Sequence, residues 1–220
     1  TAFTDHKQAG VLRLINAYRV RGPENANLDP LGIPHHPPVP DFELGFHDLD
    51  ESDLDHPFDT GTLSAAERMS LRDIRALCKR VYCESIGAEF MHIADTDKRR
   101  WLEKRLEGSG GIPQVNDEER VRILHMLTAA EGLEKFLHTK YVGQKRFSLE
   151  GGDSLIPLLH ETMLHAGTQG VEEVVIGMAH RGRLNVLVNI LGKSPAMLFA
   201  EFEGKHEGQA NLRSGDVKYH

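Results

Sequence analysis

The run Ala179-His180-Arg181-Gly182-Arg183-Leu184-Asn185 gathers an imidazole, two guanidiniums and a carboxamide in a few consecutive residues. It follows residues 171–178, which are β-branched and nearly continuously apolar, and it opens the apolar stretch 184–191. That pattern predicts a strand buried on both faces and then a helix. In open α/β sheets ligands bind beyond the carboxyl ends of the strands. A helix start there offers free N–H groups and a positive dipole end. With His180, Arg181 and Arg183 added, the site should hold an anion, a phosphate or a carboxylate. The plainer alternative is that both arginines pair with local carboxylates.

Other runs only look like chemistry. His160 and His165 flank a Glu-containing stretch but stand at i, i+5. They diverge by roughly 140° on a helix, whereas a zinc-protease pair needs i, i+4. Gly192-Lys193-Ser194 lacks the upstream glycine of a phosphate-binding loop: that position is Leu187. Cys78 and Cys83 read as two ordinary thiols, and His35-His36 as a surface pair without ligand-spaced partners. The chain's 13 histidines exceed chance expectation, but apart from His180 and His220 they read as surface or locally satisfied residues.

These groups sit in a 220-residue chain with 40% hydrophobic and 27% charged residues, a globular composition. A net charge of −7 argues against nucleic-acid backbone as a partner, and no apolar run is long enough for a bilayer. Two cysteines exclude a disulfide framework and fit a reducing compartment. No signal or transit segment opens the chain, and Thr1 stands where an initiator Met is expected, so a processed or truncated chain is anticipated.

The elements that must position the site follow from spacing. Val11, Leu14, Ile15 and Tyr18 mark a first helix, ended by Pro23. A proline-rich irregular loop follows over 23–40, and then an acidic, aromatic segment over 41–64 with only short helical turns, anchored by Phe42, Phe46 and Phe58. Ser70 and Asp73 resemble a capping box for a second helix, and Asp95 or Thr96 caps a third. The Gly/Pro-rich stretch 107–114 marks a boundary between a mainly helical part, 1–107, and a second part, 108–220. Beyond it Asn116 caps one helix, Thr128 and Glu131 suggest a second box, and Asp153 or Ser154 starts another helix with Pro157 in its first turn. Ser194-Pro195 starts the last helix. The expected fold is mixed α and α/β: a helical N-terminal domain, then the beginning of a parallel-sheet α/β domain whose remaining strands are absent from this sequence.

Several long strings resemble one family, the 2-oxoglutarate dehydrogenases that form the first component of a multienzyme complex. They are Lys145-Arg146-Phe147-Ser148-Leu149-Glu150-Gly151-Gly152-Asp153-Ser154-Leu155, the run Gly177 to Leu187, and Gly215-Asp216-Val217-Lys218-Tyr219-His220. Asn16-Ala17-Tyr18-Arg19, Asn25 to Gly32, Ile86 to His92 and Thr128 to Glu134 belong to the same pattern. The resemblance implies a thiamine-diphosphate-binding α/β domain and use of that cofactor with Mg2+. It implies decarboxylation of 2-oxoglutarate in the citric acid cycle and succinyl transfer to the lipoyl group of the dihydrolipoyl succinyltransferase component. It also implies a homodimer. The family's active-site histidines correspond to His180 and His220, with roles in binding the dianionic substrate and in proton transfer. Arg181, by its place at the helix start, is assigned to the cofactor diphosphate, with Arg183 and Asn185 behind it.

The departure is equally informative. Family members are several times longer, and their Gly-Asp-Gly metal motif lies downstream of the last string. Gly152-Asp153 and Gly215-Asp216 are followed by Ser and Val, so no metal ligand is assigned here and the 220 residues alone are expected to be inactive. A 2-oxoadipate dehydrogenase is the nearest alternative, since one methylene changes pocket affinity by only about 1–3 kcal/mol. A non-catalytic module sensing metal or pH through its histidines is the other. The expected location is a bacterial cytoplasm, or a mitochondrial matrix if the source is eukaryotic.

Overall fold

The structure, a computed structural model, describes residues 2–33, 37–144 and 146–204. The pair His35-His36 and the string ending in His220 lie outside them. The chain divides into two compact units, residues 1–114 and 115–220.

In the first unit, α1 (Ala2–Arg21) buries the expected stripe: Val11, Leu14, Ile15 and Tyr18 are all essentially inaccessible. Pro23 turns the chain into a 3₁₀ turn, Gly22–Asn25. Three further 3₁₀ turns, Pro40–Phe42, Leu44–His47 and Glu51–Asp53, wrap α1, as the acidic segment suggested. Phe42 stacks on Tyr18 with ring centroids 4.4 Å apart, and Phe58 is buried. Phe46 is not an anchor: it is 60% exposed, because its 3₁₀ turn directs Leu44 and His47 inward instead. The sequence pattern also missed a hairpin of β1 (Pro57–Asp59) and β2 (Arg68–Ser70), antiparallel with Phe58 opposite Met69. Three-residue strands are too short to show alternation.

Helix α2 (Leu71–Tyr82) starts where Ser70 Oγ accepts from the Asp73 N–H. The box is only half formed, since the Asp73 carboxylate accepts from the Ser70 hydroxyl rather than from its backbone. Helix α3 (Thr96–Gly108) is capped by Asp95. These helices meet α1 at a buried ion pair. Arg19 donates from Nε and Nη2 to the two carboxylate oxygens of Glu107, at 2.7 and 3.1 Å. Tyr82 Oη and the Ser64 N–H donate to the same carboxylate at 2.6 and 2.8 Å. A carboxylate with no exposed side-chain surface is tolerable only with this many donors.

In the second unit, α4 runs unbroken over Asp117–Lys140, opened by the capping box of Asn116 and Glu119. The second box expected at Thr128 does not form. Thr128 Oγ1 donates to the carbonyl four residues back, so its hydroxyl is used within the helix and no break is needed. Helices α5 (Leu155–Thr168), α6 (Arg183–Asn189) and α7 (Pro195–Phe202) follow. Ser154 precedes α5 without a side-chain cap. Ala130, Leu149, Ile156 and Val186 form one small core, and Leu133, Leu137, Leu184 and Leu198 another.

The buried strand expected at 171–178 is not present. Those residues carry no regular structure, and Val175 is 95% exposed. A parallel strand is held by neighbours on its edges, and among the described residues the only sheet is the two-stranded hairpin of the first unit. The architecture is thus a mixed helical fold with one short antiparallel hairpin. No described helix is long and apolar enough to cross a membrane.

Burial controls the first unit's thiols. It pushes the Cys78 thiol from an ordinary 9.0 up to about 12, and raises Cys83 and the Tyr82 phenol as well. Between about pH 9 and 12 the unfolded Cys78 has lost its proton while the folded one keeps it. The unfolded state then binds fewer protons, so stability falls as pH rises. Urea midpoints should decline across that window, and native Cys78 should resist thiol reagents at pH 8 until denaturant is added. Rapid labelling of native Cys78 would contradict its burial.

Candidate functional site

The site is built outward from Glu134, on the inner stripe of α4 with Ala130 and Leu137. Its side chain is 3% exposed. Arg146 donates from Nη1 to Glu134 Oε2 at 2.9 Å and from Nη2 to the Glu134 carbonyl at 3.1 Å. The Leu149 N–H donates to Oε1 at 3.1 Å, and Asn185 Nδ2 donates to the same oxygen at 3.2 Å. Asn185 Nδ2 also reaches the Ala130 carbonyl at 2.9 Å, and its own Oδ1 accepts from Asn189 Nδ2 at 2.6 Å. One carboxylate therefore ties the 146–149 loop and α6 to α4.

That anchoring presents Phe147 and Ser148 to the turn before α6. The Gly182 N–H donates to the Phe147 carbonyl at 3.0 Å. Gly182 has φ +77°, and a Cβ there would lie 2.6 Å from Leu149 Cδ1. The positive φ favours glycine, and an added Cβ would also displace the buried Leu149 side chain. The preceding residues then fall against the loop. The His180 ring stacks on Phe147 with centroids 5.5 Å apart. The Arg181 guanidinium lies 5.8 Å from the same ring and donates from Nη1 to the Ser148 carbonyl at 2.8 Å. His180 and Arg181 are both exposed.

The sequence-predicted residues thus separate. His180 and Arg181 come together on one aromatic platform, open to solvent. Arg183 turns back to donate to the Ala179 carbonyl at 2.9 and 3.2 Å. Asn185 is fully buried in the Glu134 node, so among the described contacts it positions the loop. His220 lies outside the described residues. Helix α6 has only seven residues, so its dipole is small. No group of three or more His, Cys, Asp or Glu among the described residues is placed to hold a metal ion.

Sequence reasoning missed Glu134, Arg146 and Phe147 as functional supports. The signal was available: a lone acid at i+4 from Ala130 on an otherwise apolar stripe requires a partner, and Arg146 is the nearby cation.

Two substitutions test this construction. Glu134→Gln leaves the buried Arg146 only the half-exposed Glu150 carboxylate, 3.9 Å away, and should cost about 3–5 kcal/mol in denaturant unfolding; a loss below about 1 kcal/mol would remove the node from its central place. Gly182→Ala should cost about 1–3 kcal/mol from the positive φ alone. NMR should show it shifting the His180 and Phe147 ring signals together; unchanged ring signals would mean the platform does not depend on this turn.

No protein-family model matches the chain. The chain is 54% identical over 215 residues to the 2-oxoglutarate dehydrogenase E1 component of Cupriavidus necator, covering 97% of this chain and 22% of that protein. It is 52% identical over 220 residues to the E1 component of Azotobacter vinelandii, covering 99% and 23%. It is 48% identical over 218 residues to the 2-oxoglutarate dehydrogenase E1/E2 component of Corynebacterium glutamicum, covering 97% and 18%. The chain spans about a fifth of the length of the curated relatives it matches. Along nearly its own whole length, and against that fraction of theirs, the chain matches the family of 2-oxoglutarate dehydrogenase E1 components.

Proposed function

We propose that the chain supplies part of the active site of a thiamine-diphosphate-dependent 2-oxoglutarate dehydrogenase. In this reading the enzyme decarboxylates 2-oxoglutarate and passes the succinyl group to the lipoyl group of a dihydrolipoyl succinyltransferase component. The observation that carries the reading is the exposed His180–Arg181 pair, fixed on Phe147 and Ser148, in a chain so similar to E1 components.

The residues present fit the anionic end of the cofactor. Arg181 spends one described N–H on the Ser148 carbonyl and keeps its other donors for an anion. They do not supply a metal site, so Mg2+ would be held by residues other than those described. When bound, thiamine diphosphate supplies the electron sink for decarboxylation.

The chain's own part is binding and proton control. The Phe147 stack restrains the plane of the exposed His180 ring. From there it orients a substrate carboxylate or donates to an oxygen that gains charge. Arg181 neutralises a phosphate or carboxylate beside it. Asn185 and Glu134 hold the platform, and Arg183 shapes the turn through Ala179. His220 is proposed as a second active-site histidine. A parallel-sheet cofactor-binding domain built by the longer enzyme, a homodimer and a cytoplasmic location complete the proposal.

The test uses the longer enzyme that carries this chain, assayed for 2-oxoglutarate decarboxylation with an artificial electron acceptor. His180→Ala should lower kcat by about 10²–10⁴-fold. Arg181→Ala should chiefly raise the thiamine diphosphate concentration needed for half-maximal rate. The 220-residue chain alone should show no turnover. Wild-type kcat in His180→Ala would overturn the proton-control role, and turnover by the chain alone would show that it holds a complete site.

A further inference from the structure

Phe147 is out of place as a packing residue. It joins neither core of the second unit and is 40% exposed, while Leu149, two residues on, is buried. A ring left in that position forgoes apolar burial. The backbone nevertheless holds it there. Arg146 before it and Leu149 after it are tied to Glu134, and its own carbonyl accepts from the Gly182 N–H.

Two side chains use the ring. The His180 imidazole stacks on it at an interplanar angle of 26°, and the Arg181 guanidinium lies 5.8 Å from its centroid. The two are not restrained equally. Arg181 also donates to the Ser148 carbonyl. The imidazole makes no hydrogen bond or ion pair with any described residue, so its one described ring contact is the Phe147 stack.

We propose that Phe147 is a positioning residue for the decarboxylation: its ring sets the His180 imidazole, and to a smaller degree the Arg181 guanidinium, before substrate and cofactor arrive. This inference rests on the roles proposed above for those two side chains. An exposed imidazole without a partner samples several rotamers, and selecting one of them opposes the reaction entropically. A stack that selects it in advance removes that cost from the chemical step. Because Arg181 keeps its bond to Ser148 when the ring is lost, cofactor affinity should suffer less than turnover.

The experiment uses the longer enzyme and the same artificial-acceptor assay. Phe147→Leu and Phe147→Met each remove the ring and keep an apolar side chain. Each should lower kcat by about ten- to hundredfold. The thiamine diphosphate concentration for half-maximal rate should rise only about two- to fivefold, the effect of losing one exposed cation–ring contact. Phe147→Tyr keeps the ring face and should recover most of kcat. His180→Ala combined with Phe147→Leu should turn over as slowly as His180→Ala alone, because Phe147 acts through the imidazole; a general structural defect would multiply the two losses. Circular dichroism with a thermal melt checks that each variant folds like the parent. Near-wild-type kcat in both ring-free variants while His180→Ala is impaired would overturn the positioning role and leave the proposed function standing. Multiplied losses in the double variant, failure of Phe147→Tyr to recover turnover, or misfolding of both ring-free variants would also overturn it. Wild-type kcat in His180→Ala would remove the role proposed for His180 and this inference with it.

Discussion

A carboxylate sunk in an apolar interior must be surrounded by donors, and each unit of this chain is organised around one. In the first unit Glu107 collects Arg19, Tyr82 and the Ser64 N–H. In the second Glu134 collects Arg146, Asn185 and the Leu149 N–H. Neither pair is strong evidence of net stability, since desolvation offsets most of the attraction. What each pair fixes is geometry: segments remote in sequence are joined at one point, and displacing any of them leaves a buried charge short of partners. Glu134 is the more consequential. Its donors come from the loop and the helix that flank His180 and Arg181, so the exposed chemistry inherits its position from a buried ion pair.

The same constraint explains the outer face of α3. A helix with acids at 103 and 107 and cations at 98, 99, 100, 104 and 105 could have been laced with i, i+4 pairs along its surface. Arg19 draws both acids inward instead. The exposed cations of α3 then outnumber its one exposed acid, Asp97, and the exposed Trp101 lies among them.

Legibility followed the strength of periodic signals. The stripe of α1 and the caps at Ser70, Asp95 and Asn116 were readable, because side-chain spacing and capping chemistry act over a few residues. The hairpin at 57–59 and 68–70 was not, because its register is set by the packing of Phe58 and by Thr60 donating to the Ala66 carbonyl. The supposed second cap at Thr128 failed because the same hydroxyl can serve a helix interior as well as a helix start. Residues 171–178 read as a buried strand from composition, but apolar composition states only what a segment would bury, and strand structure needs a neighbouring strand to pair with.

The site was legible in residue type more than in role. In the sequence Arg181 stood first for the cofactor diphosphate by its place at the helix start, with Arg183 and Asn185 behind it, and His180 was an active-site histidine by resemblance. The structure ranks them by where their hydrogen bonds go. Asn185 is wholly committed to Glu134, Ala130 and Asn189. Arg183 is turned onto the Ala179 carbonyl. His180 leans on Phe147 through a ring face, which leaves its polar edge open, and Arg181 shares that platform with most of its donors outward. A motif of consecutive polar residues thus divides into those that hold the turn and those that face a ligand. The division is made by Gly182, whose left-handed backbone reverses the chain between Arg181 and Arg183 and sends the two arginines to different tasks.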